Sequence, residues 1–450
     1  MRAVVAENHP AMVPALGDDA FLAREEASFQ RAMTLAHTVD SEAGYRFALR
    51  AYASALGDDH LRVRFTKSAE MVSWPGVLVQ WTNGHFKVET SERAEIPAGA
   101  TLSGCDGEPA AEFARKAIGG FWTDWSSEAR RFQHGFRLLI DYENPFVSRP
   151  RSCEFFYQNT VRTVDLEWRE IERRSLSDKM QAKRPKGRRT SGVEPFGDGG
   201  LWISLPWMGG AARDMITRLA RDQDAVDRAK VIVVDVRGNN GGNSALGDDL
   251  AEALGLQLVE WEAVEGAFSI HWRASRGNAR ALRAYAERDT GLSQDAVLEA
   301  MNTAERIASA AKDGADFHPR LPEVRARLAP RNAQPGDIRS SRIWLLTDHW
   351  CFSSCLLMVE AWRAAGVAHI GTTTDTDTRY LEASARMLPS GRATMTTMQK
   401  VVIPSLPKFG PFAPTTQFTG EIQDDRAVKE WVTKLAQTND PEKPSVRRLQ

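Results

Sequence analysis

Two turns concentrate the residues that could do chemistry. Asp235-Val236-Arg237-Gly238-Asn239-Asn240-Gly241-Gly242-Asn243 closes the apolar run KVIVVDV, at the carboxyl end of a buried strand, where open α/β sheets place their ligand crevices. Its glycine-rich backbone offers N–H groups that can cradle a phosphate or an oxyanion, unless the loop is only a structural turn. Phosphate is the weaker choice, because the loop matches neither GxGxxG nor GxxxxGK[ST] and no lysine follows. Thr347-Asp348-His349-Trp350-Cys351-Phe352-Ser353-Ser354-Cys355 follows the run IWLL and precedes an apolar helix. A serine there presents its hydroxyl from a sharp bend, with the helix N-terminus favouring developing negative charge. The plain alternative is that Ser353 or Ser354 caps the helix. His60, in ALGDDHLRVRF, sits where a helix ends and a strand begins, and His349 lies four residues before Ser353.

The elements that must position these turns alternate between strand and helix periodicity. LWISLPWM reads as a strand, ARDMITRLARDQDAVDRA as a helix, KVIVVDV as a strand buried on both faces and SALGDDLAEALGL as a helix, which implies an α/β fold with a largely parallel sheet. The sheet resumes with RIWLLTDHW and AHIGTTT. This core is expected over 199–261 and 334–436, with a helical insertion over 262–333. Residues 1–69 read as an N-terminal helical segment. Residues 70–172 read as a small β-rich module with a hairpin at Asn83-Gly84. Residues 173–198 form a linker in which Lys179, Lys183, Arg184, Lys186, Arg188 and Arg189 surround Pro185 and Gly187, and 437–450 is a tail.

Composition bounds the rest. At 450 residues the chain is long enough for about three domains, and 42% hydrophobic residues with 13 Trp and 19 Phe supply real cores. Lys+Arg 58 against Asp+Glu 59 leaves a net charge of -1, which disfavours a nucleic-acid partner. No apolar stretch reaches the ~18 residues of a membrane span, and the start of the chain lacks a secretory pattern. A cytoplasmic protein is expected as written, an exported one if an upstream segment is missing. The four cysteines, Cys105, Cys153, Cys351 and Cys355, require no disulfide. Cys351 and Cys355 read as small buried side chains of a helix in preference to zinc ligands, so no metal or other cofactor is expected.

In combination, VIVVDVRGNNGGN, IWLLTDHWCFSSC and HIGTTT resemble the tail-specific (C-terminal processing) serine peptidases, including their tricorn-like branch. The first motif agrees with that family's D-L-R-G-N-G-G-G loop at Asp235, Arg237, Gly238, Asn239, Gly241 and Gly242. C-F-S-S-C-L stands where the family has S-A-S-A-x-E, a register that implies Ser353 as nucleophile. IPAGATLSGCDGEPAAEF is similar to a turn of the family's PDZ-like domain, and ALGDDHLRVRF to its L-x-D-x-H-T segment. The resemblance implies a ClpP/crotonase-like α/β core with a PDZ-like module at 70–172, and a serine-type endopeptidase acting on unstructured polypeptides. Asp377 occupies the place of the lysine many members use, so the implied general base is His60, with His349 as rival. A supporting acid is implied downstream of the serine, at Asp377, Glu382 or Glu421. Gly241, Gly242 and Ser354 would supply the oxyanion donors, and Arg237 would clamp its own loop. The lost lysine and degraded serine motif leave one alternative, a catalytically inactive peptide-binding scaffold.

Overall fold

The computed structural model of the chain describes residues 1–67, 69–181, 189–258, 269–288, 293–319, 341–403 and 410–438. They divide into two compact units. One comprises Met1–Leu176, Val264–Val324 and Thr378–Lys408, the other Ser177–Ala263, Arg325–Asp377 and Phe409–Gln450.

The second unit is the α/β one. Its six-stranded sheet runs in the order Gly192–Phe196, Gly200–Ser204, Ile232–Asp235, Ile343–Thr347, Ala368–Gly371, Thr416–Gln417. Only the first pair is antiparallel. Ile232–Asp235 and Ile343–Thr347 are buried along their whole length, as a parallel sheet covered on both faces demands. The helix Gly210–Arg221 buries Ala212, Met215, Ile216 and Leu219, a three-and-four spacing that makes one apolar stripe. The helix Ser354–Ala364 buries Cys355, Leu356, Met358, Val359 and Trp362. Register places Asp235 beside Ser204 on one side and Leu346 on the other. The strands therefore end level, and the turns that follow Asp235 and Thr347 leave the sheet side by side.

The first unit is built on antiparallel sheets. One runs Val77–Thr82, His85–Ser91, Thr101–Cys105, Ser152–Tyr157, Thr160–Asp165, with Glu108–Pro109 also on the third strand. Its first hairpin turns at Asn83-Gly84, where φ of 51° and 82° gives the two left-handed residues a tight hairpin needs. The helices Asp19–His37 and Glu42–Ser54 precede it in sequence. A second sheet pairs Val63–Phe65, Ala393–Ile403, Ser269–Arg273 and Phe317–Pro319, with Tyr380–Met387 also on the long strand.

The segment expected to be a helical insertion holds the helices Arg276–Ala286 and Gln294–Lys312, but also the strands Ser269–Arg273 and Phe317–Pro319. Both are too short to show a period, and their partner Ala393–Ile403 lies far along the chain. They join the antiparallel sheet of the first unit and leave the parallel sheet of the second unit uninterrupted. Of the linker expected over 173–198, only 182–188 lie outside the described residues; Arg173–Gln181 is a helix and Gly192–Phe196 the edge strand of the parallel sheet, so the expectation of a linker holds for neither. The tail from 439 onward also lies outside the described residues.

The cysteines correct the sequence reading. Cys105 and Cys153 face one another across paired strands and are bonded, and Cys351 is bonded to Cys355. Cys351 precedes the helix, so the bend at 352–353 lets its side chain meet Cys355 in the first turn, with Cα atoms 5.3 Å apart. Strand register and local bends, which cysteine spacing alone does not report, set both pairings. We predict that the protein denatured without reductant titrates with no free thiol. Replacing both Cys105 and Cys153 by Ala should lower stability by about 4 kcal/mol, the chain-entropy value for a loop of this length. An unchanged unfolding midpoint would contradict a covalent constraint there.

Candidate active site

The glycine-rich loop is held by a buried guanidinium. Arg237, 1% exposed, makes a two-pronged contact with Asp235 (Nε to Oδ1 2.8 Å, Nη2 to Oδ2 2.6 Å) and donates through Nη1 to the Ile422 carbonyl at 2.8 Å. Burial alone would lower the Arg237 pKa, but Asp235, Asp425 and Asp348 outweigh it and raise it. Its guanidinium is buried and spent on Asp235, Ile422 and Asp425, contacts that clamp the loop.

Two further links tie this loop to the serine turn. The fully buried Asp348 carboxylate accepts the Gly238 N–H at 3.0 Å, the Trp350 N–H at 2.9 Å and the Gln423 amide at 2.8 Å. Asn239, also fully buried, donates to the Leu205 carbonyl at 2.8 Å and accepts the Phe352 N–H on its own carbonyl at 3.2 Å. Neither residue could be assigned this part from sequence. The only signal was position, since each lies one to four residues beyond a buried strand.

Ser353 itself has φ 56° and ψ -127°, a conformation that costs a non-glycine residue roughly 1–3 kcal/mol and persists only when its surroundings enforce it. The enforcing surface is Gly241. A Cβ there would lie 2.8 Å from the Ser353 Cβ and 3.0 Å from both the Phe352 carbonyl and the Ser354 nitrogen. Next to it, a Cβ on Gly242 would lie 2.2 Å from the Met208 carbonyl. Ser353 occupies the N-cap position of the helix Ser354–Ala364, yet its hydroxyl makes no capping hydrogen bond. The Ser354 hydroxyl is spent, donating to the Gly242 carbonyl at 2.7 Å. Of the two serines, Ser353 is the one that sits at the bend itself, at the N-terminus of the helix.

Three of the expected oxyanion donors, Gly241, Gly242 and Ser354, come together here but differ in availability. The Gly241 N–H is taken by Asn239 Oδ1 at 2.9 Å, so Gly241 contributes close approach and not a donor. The Gly242 and Ser354 amides are the ones left to face a ligand, among the described hydrogen bonds.

His60 belongs to the first unit and is 14% exposed. Its backbone N–H and its Nδ1 both meet Asp58 Oδ1, at 2.8 Å and 3.3 Å. The neighbouring Asp59 points elsewhere, to Thr123 Oγ1 at 3.1 Å and Arg130 Nε at 3.2 Å. Glu382, a sequence candidate for the supporting acid, instead accepts from Lys400 Nζ at 3.0 Å on the strand Tyr380–Met387. Asp377 is buried in the second unit. Glu421 is exposed there and accepts the Gln423 N–H at 3.3 Å. His349 Nδ1 is committed to the Thr373 carbonyl at 2.7 Å.

No family model and no curated protein matches the sequence. Among solved structures, mature CPAF in complex with lactacystin matches at 14% identity with a TM-score of 0.60, over 97% of both chains. Mature CPAF alone matches at 14% identity and 0.59, over 98% of this chain and 96% of that one. The chain shares the fold of CPAF. The photosystem II D1 C-terminal processing protease also matches, at 13% identity over 93% of this chain and 90% of its own, but its TM-score of 0.33 is too loose to build on. The CPAF-like fold, with its α/β sheet, agrees with the fold class read from the alternating strand and helix periodicity.

The packing at Gly241 gives a specific expectation. Gly241→Ala should destabilise the protein by ~2 kcal/mol or more beyond Gly99→Ala, which also has a positive φ, 86° against 102°, but meets nothing within 4 Å. Chemical denaturation of the two variants measures the difference, and equal midpoints would show that the loop does not press on Ser353.

Proposed function

We propose that this protein is a serine-type endopeptidase acting on unstructured polypeptides, with Ser353 as nucleophile and His60 as general base. The observation that carries the proposal is the enforced, positive-φ turn at Ser353, set against a glycine loop and at the start of a buried helix. An alcohol at such a turn stands beside the amides at the start of the following helix, which are suited to stabilise a tetrahedral oxyanion. Ser353 Oγ attacks the peptide carbonyl carbon, and its proton passes to His60. The carbonyl oxygen becomes an oxyanion held by the Gly242 and Ser354 N–H groups. On collapse of that intermediate, His60 returns the proton to the leaving amine. Water then repeats the sequence on the acyl-enzyme and restores the serine.

His60 suits this duty because an imidazole can take and return a proton near neutral pH. The antiparallel module supports the choice of substrate. Its terminal strand Thr160–Asp165 has all but one residue exposed, and an extended chain can add to such an edge through backbone hydrogen bonds. That is the use the resemblance assigns to a PDZ-like module, and it selects flexible chains over folded ones. Two disulfides also support an oxidising compartment, and so an exported protein, in place of the cytoplasmic expectation.

Incubation with a reduced, alkylated protein and with the same protein in its folded state tests the reading. Wild type should cleave the unfolded form preferentially, and Ser353→Ala and His60→Ala should each lose at least ~10³-fold in kcat/KM. Cleavage that survives Ser353→Ala would remove the serine from the mechanism, and peptide binding without any cleavage would favour the inactive-scaffold reading.

A further inference from the structure

The acid expected downstream of the serine has a competitor in Asp58, the aspartate of the L-x-D-x-H-T-like segment, to which the sequence reading gave no role. Asp58 is buried, its side chain fully enclosed, and its two oxygens are held separately. Oδ1 takes the His60 backbone N–H and meets His60 Nδ1. Oδ2 accepts the Thr378 hydroxyl at 3.0 Å and faces His9 Nε2 at 3.8 Å. Burial alone would raise the Asp58 carboxyl, but the hydrogen bonds and charges of His60 and His9 outweigh it and hold it well below the usual carboxylate range.

His9 is oriented with equal care. It is fully buried, stacked on Phe21 with ring centroids 4.7 Å apart and set edge-on to Tyr380 at 4.6 Å. Its Nδ1 accepts the Ala11 N–H at 3.1 Å, so in the neutral ring the proton sits on Nε2, the atom aimed at Asp58. Burial lowers the His9 pKa, against the opposing pull of Asp58. His9 Nε2 has no closer hydrogen-bond partner among the described residues. A buried ring N–H with no hydrogen bond is costly, and among the described residues the carboxylate it faces is Asp58.

We infer that Asp58 is the positioning residue for His60, and that His9 and Thr378 hold the Asp58 carboxylate so that neutral His60 keeps its proton on Nδ1. Nε2 is then the basic nitrogen, the one a serine proton must reach, and the imidazolium formed when it accepts that proton is stabilised by a carboxylate already ionised. The inference rests on the proposed role of His60. It assigns the orienting role to the acid two residues before the histidine in place of the downstream acids Asp377, Glu382 and Glu421. Asp59, tied to Thr123 and Arg130, does not share the role.

Two measurements decide it independently of each other. Long-range ¹H–¹⁵N correlation spectra report histidine tautomers without any need for turnover. Wild type should show His60 as the Nδ1–H form and His9 as the Nε2–H form, and Asp58→Asn should shift His60 toward Nε2–H. The second is the rate at which Ser353 reacts with a fluorophosphonate probe. Asp58→Asn should slow it at least ~100-fold and His9→Phe about tenfold, while His9→Gln, which keeps a donor toward Asp58, should recover most of the loss. If Asp58→Asn does not fold, Thr378→Val and the His9 pair carry both measurements. A wild-type probe that fails to react would defeat the peptidase reading, yet the tautomers would still decide the positioning role. An Nε2–H His60 in wild type, or probe rates unmoved in Asp58→Asn and His9→Phe, would overturn the inference.

Discussion

The buried Asp348 carboxylate is the constraint on which the proposed chemistry depends. It closes a strand of the parallel sheet and reaches back to the Gly238 N–H of the neighbouring loop, while Trp350 and Gln423 satisfy its remaining capacity. A buried acceptor of this kind cannot give up its donors without a penalty of roughly 1–3 kcal/mol per unmade bond. The loop at Gly238 and the turn at Ser353 are thereby fixed as one body. Only with that fixed does the absence of a side chain at Gly241 matter, because the backbone approach to Ser353 leaves no space for even a methyl group. The positive φ of Ser353 is the consequence, and the sheet supplies the support.

The same unit shows how charge is used structurally. Arg237, Asp235 and Asp425 form a buried and part-buried cluster that also takes in the Ile422 carbonyl, and Arg189 reaches Asp425 from the far side at 2.7 Å. Removing one member would leave an uncompensated charge in a dry site, which is far more costly than replacing the whole set. The cluster gives an arginine that follows a buried strand a structural part. In the first unit, Asp59 with Arg130 and Thr123 plays a comparable part, and this frees the adjacent Asp58 for His60.

Much of the parallel sheet was legible because its strands are short, continuous and apolar, and because buried parallel strands leave that pattern in sequence. The Asn83-Gly84 hairpin was legible for a different reason, the left-handed backbone that few other residue pairs accept. The serine turn and the glycine loop stood out because they follow such strands, and the register of the resemblance chose Ser353 over Ser354. What escaped was everything decided by partners distant in sequence. Ser269–Arg273 and Phe317–Pro319 become strands only through Ala393–Ile403 and each other, and the Cys105–Cys153 bond only through strand register. Gly241 offered an N–H on paper, but Asn239 Oδ1 takes it, a side-chain choice that no spacing reveals. Asp58 was passed over for a downstream acid although D-x-H was in view, since a carboxylate two residues before a histidine is ordinarily a turn residue.

The central claim is that the bend between Phe352 and Ser354 presents a reactive alcohol. Peptide mapping by mass spectrometry after exposure of the native protein to a fluorophosphonate measures it most directly. The account predicts a single phosphonylated site, Ser353, lost when the protein is first unfolded. Modification of Ser354 or of another residue in its place, or no native-state adduct at all, would contradict it.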